Sequence, residues 1–119
     1  MDDRAGLHRL REISLGTYGD DGCWTSRPLW IVGVDGEAYV RAAFGRRSRW
    51  LRSALRGAPL RVEAPWGVLP VRLEAITDSA LDDRVSEAYR VKYGPGWPGP
   101  VRVMTAAEAR STTMRIAAL

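Results

Sequence analysis

The sequence predicts a mostly-β (α+β) fold, a small barrel of about six strands with two short helices. Three observations carry this expectation. Short apolar or alternating runs are separated by Gly, Pro and Asp punctuation, and helical spacing is confined to two stretches. No regular β-α-β alternation appears, which excludes a doubly wound sheet. A chain of 119 residues, 45% of them apolar, can fill one core, so residues 1–119 are read as a single domain.

Residues 11 to 17 alternate polar and apolar and predict the first strand, closed by a turn at Gly19-Asp20-Asp21-Gly22. Pro28 to Val34 is almost wholly apolar, as in a strand covered on both faces. Asp35-Gly36 is a strong hairpin signal, with Glu37 to Phe44 as the returning strand. Ser48 is placed to cap a helix whose apolar side is Trp50, Leu51, Ala54 and Leu55, with Gly57 at its end.

Leu60 to Ala64 and Val68 to Ile76 predict a second hairpin about Pro65-Trp66-Gly67. Pro70, which has no N–H, argues for an edge or a bulge there. Ser79 is expected to cap a second helix with Leu81, Val85, Ala88, Tyr89 and Lys92/Tyr93 as its core-facing stripe, ending at Gly94. The Gly/Pro-rich run from Gly94 to Pro100 reads as a semi-rigid surface loop, and Val101 to Met104 as a short extended segment. Thr105 and Glu108 have capping-box spacing for one helical turn, and Ser111 to Leu119 alternates as a closing strand.

Composition narrows the function classes. Cys23 and His8 are the only residues of their kinds, so thiolate clusters, His-rich metal sites and most nucleophile–histidine triads lack their parts. No metal site is expected, and no catalytic residue stands out. No run reaches the roughly 18 apolar residues of a membrane span, and Met1-Asp2-Asp3-Arg4 lacks a secretory pattern, so a cytoplasmic protein is expected. The net charge of +4 invites nucleic acid, but the basic residues are scattered and no recognised module accompanies them. Arg41, Arg46, Arg47, Arg49 and Arg52 nevertheless crowd around a helix start, where free N–H groups and guanidinium forks would favour an anion.

The run from Arg27 to Arg41, followed by Gly45 and Trp50, resembles the core of the split β-barrel superfamily that binds FMN or deazaflavin. That superfamily includes pyridoxamine-phosphate-oxidase-like and deazaflavin-dependent nitroreductase-like proteins. More closely, these pieces, the segment Ala88 to Gly94 and the ending Glu108 to Arg115 resemble a small bacterial family known only as a domain of unknown function. The likeness covers roughly residues 11 to 116 and rests on the order and spacing of the pieces. It implies a six-stranded split barrel with two short helices, forming a homodimer with the ring of its ligand between subunits.

By the same resemblance, Arg27, Arg41, Arg46, Arg47, Ser48 and Trp50 match the cofactor-binding regions. Tyr89, Tyr93 and Trp97 are the candidate substrate-binding residues, with Trp97 either a lid or a pin for its loop. The implied cofactor is FMN or deazaflavin, and the implied activity oxidation or reduction of a small hydrophobic or aromatic substrate. The Lys-rich phosphate motif of the pyridoxamine-phosphate oxidase branch and the extra N-terminal helix of many deazaflavin-using relatives are absent. A barrel without cofactor, binding or transforming a hydrophobic metabolite, is therefore the alternative. A basic module for nucleic acid or a protein partner is the second alternative.

Overall fold

The structure, a computed structural model, describes residues 5–119, so the N-terminal reading of Met1 to Arg4 lies outside the described residues. Seven strands form one antiparallel sheet: β1 (Ile13–Tyr18), β2 (Trp24–Leu29), β3 (Val32–Val34), β4 (Glu37–Val40), β5 (Leu60–Ala64), β6 (Gly67–Ala75) and β7 (Met114–Ala118). Their order is β2-β1-β5-β6-β7-β4-β3. Four α-helices accompany them: α1 (Arg49–Leu55), α2 (Ser79–Tyr93), α3 (Pro98–Thr105) and α4 (Ala107–Arg110).

Strands β2 and β3 are the outermost strands, yet only Trp30 and Ile31 separate them in the chain. Three Cα steps span at most about 11 Å, whereas a flat sheet of this order would set its edges about 29 Å apart. The sheet must therefore curl upon itself. The result is a half-barrel of the split-barrel kind, with one strand more than expected because the apolar run Pro28 to Val34 breaks at Trp30-Ile31. Only the second half of that run is covered on both faces. Strand β2 is exposed along nearly its whole length, as suits a sheet edge carrying Pro28.

Two cores result. Ile13, Leu15, Val40, Leu51, Val62, Val71 and Ile116 fill the barrel, while Val32, Val34, Tyr39, Val85, Tyr89 and Tyr93 pack α2 against the outside of β3 and β4. Alternation along β4 explains the division: Ala38 and Val40 point inward and Tyr39 points at α2. The hairpin turn forms as expected, with φ of 52° at Asp35 and 80° at Gly36. Arg84 of α2 grips Asp35 through two 2.8 Å bonds.

Several local expectations are corrected. The cap of α2 is Asp78, whose carboxylate accepts from the N–H groups of Ala80 and Leu81, and Ser79 is the first helical residue. Ser48 holds the N-cap position of α1 but its hydroxyl makes no capping bond. Leu55, assigned to that helix's apolar side, is 52% exposed. The extended segment Val101 to Met104 is helical instead. Pro98 opens α3, where a missing N–H costs nothing, and Val101 and Met104 are buried one turn apart. The Thr105 hydroxyl donates back to the Val101 carbonyl at 2.8 Å, so no capping box forms before α4. Pro70 lies just beyond the β6–β7 pairing, which begins at Val71 opposite Ala118, and so meets an edge on that side only.

Candidate functional site

After β4 the chain turns tightly, with Gly45 donating to the Ala42 carbonyl and adopting a left-handed φ of 62°. A β-carbon at Gly45 would meet Glu108 Cγ at 2.5 Å, so glycine lets the turn press against α4. Arg47 Nε donates to Glu108 Oε1 at 3.2 Å and fixes the turn from the other side. Arg46 is exposed and forms no ion pair among the described residues.

Beside this turn lies a cavity of about 500 Å³ whose lining includes Arg27, Trp30, Phe44, Ser48, Trp50 and Met104. It therefore unites Arg27, Ser48 and Trp50 of the expected set, contributed by β2 and the start of α1. Arg46 and Arg47 flank it in sequence but do not line it. Arg41 does border it, although its side chain is wholly buried and turned to internal acceptors. Its Nε donates to Thr113 Oγ1 at 2.8 Å, Nη1 to the Met104 carbonyl at 3.0 Å, and Nη2 to Asp82. Burial pulls the Arg41 pKa down, opposed by the Asp82 carboxylate beside it.

A second cavity of about 740 Å³ adjoins the first, and Trp30 and Pro100 belong to both walls. Tyr93 and Trp97 line it, together with Leu10, Arg11 and Glu12. Trp30 and Tyr93 are stacked, with centroids 4.0 Å apart and planes 2° from parallel. Trp97 is 52% exposed, while its backbone N–H donates to the Tyr93 carbonyl at 2.8 Å. Tyr89 reaches neither cavity. It is fully buried, its ring lies 5.4 Å from the Arg41 guanidinium carbon, and burial pushes its hydroxyl pKa up.

Sequence reasoning passed over Trp30 and Phe44 as site residues. The only hint for Trp30 was its position two residues after a proline in an apolar run. Lys92, placed by its spacing on the core-facing stripe of α2, donates to the carbonyls of His8, Leu10 and Ile31 at 3.0, 2.5 and 2.6 Å. Burial draws its pKa down to about 8, so the ammonium still predominates at neutral pH. The lysine thereby ties α2 to the point where the two sheet edges meet.

Residues 5–116 match the profile of a bacterial family described as "Uncharacterized protein conserved in bacteria", DUF2255. The chain belongs to the DUF2255 family. No curated protein matches this DUF2255 sequence. Its fold is similar to that of the conserved hypothetical protein Rv2991 from Mycobacterium tuberculosis, with TM-score 0.65 and 14% identity over 95% of this chain and 74% of that one. It is also similar to an FAD- and heme-binding protein from Mycobacterium smegmatis, with TM-score 0.60 and 18% identity over 93% and 61% of the two chains. A third likeness is to an FAD-binding protein from Mesorhizobium loti, with TM-score 0.54 and 21% identity over 95% and 84%. At these identities the likeness establishes the split-barrel fold of the DUF2255 chain and leaves its ligand to the site itself. No helix among the described residues is long and apolar enough to cross a membrane.

Proposed function

We propose that this chain is a cytoplasmic, homodimeric split-barrel protein that binds FMN or a deazaflavin in the first cavity and acts as an oxidoreductase on a small hydrophobic or aromatic substrate. One observation carries the reading. Arg27 from β2 and Ser48 with Trp50 from the start of α1 converge on one cavity whose remaining wall is largely apolar and aromatic. The donor set fits a phosphate-bearing ring. Arg27 is exposed and has no ion-pair partner among the described residues, and the Ser48 hydroxyl makes no capping bond.

Such a cofactor, when bound, supplies hydride transfer. The chain's own contribution is binding and exclusion of water. Arg27 presents a guanidinium fork to the phosphate and Ser48 a hydroxyl donor. Arg46 and the Arg47 turn add positive potential, while Arg41 braces the wall from within. Trp30, Phe44 and Trp50 offer flat apolar surface to the ring. Phe44 and Val103, 63% and 47% exposed at this cavity, form an apolar rim that a second copy would cover.

Freshly purified protein should carry a visible flavin or deazaflavin absorbance band, or gain several degrees of thermal stability when FMN or deazaflavin is added. It should also elute as a dimer. A colourless protein that shows no shift with FMN, FAD or deazaflavin would sink the reading. One observation favours the second reading, a barrel that holds a hydrophobic metabolite without cofactor: Arg46 and Arg47 do not line the cavity.

A further inference from the structure

We infer that the second cavity binds a planar aromatic molecule carrying both a carboxylate and an ammonium group, the chemical class of the aromatic amino acids. The inference rests on the proposed function only in taking the groove as a ligand site, and no cofactor is needed for it. The ring surface comes first. The stacked Trp30–Tyr93 pair, Pro100 and the half-exposed Trp97 indole border a cavity of about 740 Å³, ample for one ring system. An indole left half in water beside stacked aromatics is an incomplete packing arrangement that a flat ligand would complete.

The charges come second. Arg11 and Glu12 are neighbours on the same cavity rim, both exposed, and neither forms an ion pair among the described residues. The Tyr93 hydroxyl reaches the Arg11 backbone, so the two opposite charges stand beside the ring wall. A ligand with one charge would satisfy one of them and leave its neighbour unanswered, whereas a zwitterion answers both.

The rim is also held in place before any ligand arrives. The Tyr93 hydroxyl donates to the Arg11 carbonyl at 2.6 Å, and Lys92 donates to the His8 and Leu10 carbonyls. The backbone that carries both charges is thus anchored to the helix that carries the ring wall. Only the two side chains need to be ordered on binding, which lowers its entropic cost.

Calorimetric titration of the protein as purified with L-tryptophan, tryptamine, 3-indolepropionate and indole tests this. Tryptophan should bind tightest, and removal of either charged group should weaken binding about tenfold. Arg11→Gln should abolish the preference for tryptophan over tryptamine, and Glu12→Gln the preference over 3-indolepropionate. Trp97→Ala should weaken all four probes, and circular dichroism should show all three variants folded because each side chain is exposed. Absence of binding at millimolar concentration, equal binding of the four probes, or preferences unchanged in the variants would overturn the inference. Charge-selective tryptophan binding without any flavin binding would overturn the cofactor reading alone, and flavin binding without charge selectivity would overturn this one alone.

Discussion

Arg41 Nη2 donates to both the Asp82 carboxylate, at 2.8 Å, and the Asp82 carbonyl, at 3.0 Å, from a side chain with no exposed surface. Thr113 Oγ1 donates to the same carboxylate at 2.6 Å and Arg110 Nε at 2.9 Å. Residues following β4, in the first turn of α2, at the end of α4 and just before β7 thus share one anion. Removing the anion would leave the Arg41 guanidinium buried with much of its charge uncompensated.

Asp82→Ala is therefore expected to cost about 3–5 kcal/mol of stability. The double variant Asp82→Leu with Arg41→Met should be much less destabilised than the separate losses of Asp82→Leu and Arg41→Met added together. Urea unfolding of the four proteins in a double-mutant cycle gives the coupling. Additive losses would mean that the pair is not a unit.

Acid should weaken the same junction. Burial alone would raise the Asp82 pKa, but the bonds from Thr113, Arg110 and Arg41 outweigh it and hold the carboxyl below its usual value. As pH falls, the unfolded chain takes up this proton before the folded one does. The contribution is thus complete above about pH 4 and disappears as the pH drops through the folded value. The urea midpoint should stay level from pH 7 to 5 and decline below 4, with a shallower decline in Asp82→Asn.

At Gly45, alanine would meet two penalties. The left-handed φ of 62° costs about 1–2 kcal/mol for a residue with a β-carbon, and that carbon would sit 2.5 Å from Glu108 Cγ. Gly45→Ala should lower the melting temperature by several degrees. Adding Glu108→Ala should restore only the steric part, which differential scanning calorimetry on the three variants can measure.

Lys92→Met removes donors from three carbonyls and should cost about 1–3 kcal/mol. Its distinctive readout is local. Amide hydrogen exchange should speed up in residues 7–11 and around Ile31 more than in β5 and β6, since Lys92 binds only the former. A uniform increase across the sheet would contradict that role.

If the cofactor reading holds, Arg27→Ala should weaken FMN affinity about tenfold or more, the loss of a charge-assisted phosphate contact. Arg47→Ala should matter less, because Arg47 is paired with Glu108 and lies outside the cavity lining. Fluorescence titration of the two variants side by side settles the ranking, and the reverse order would place the phosphate at the turn instead.

What could be read directly was what neighbouring residues decide among themselves. The Asp35-Gly36 turn, the β5–β6 hairpin and the stripe of Val85, Tyr89 and Tyr93 along α2 follow from turn chemistry and periodicity acting over a few residues. Where two local signals compete, the fold arbitrates. The prolines that argue against a helix in a strand-like run become the opening turn of α3 once Val101 and Met104 have a core to enter.

The site shows the same division. Sequence order alone brings Arg46, Arg47 and Ser48 together and marks Arg41 as basic and near them. Only the curled sheet sets Arg27 and Trp30 beside Ser48 and Trp50, because closure carries the β2 edge round to the helices. Only tertiary packing turns Arg41 inward, since its acceptors Met104, Asp82 and Thr113 lie 63, 41 and 72 residues away. An arginine's charge belongs to its residue type; whether that charge meets a ligand or an internal carboxylate depends on which distant groups surround it.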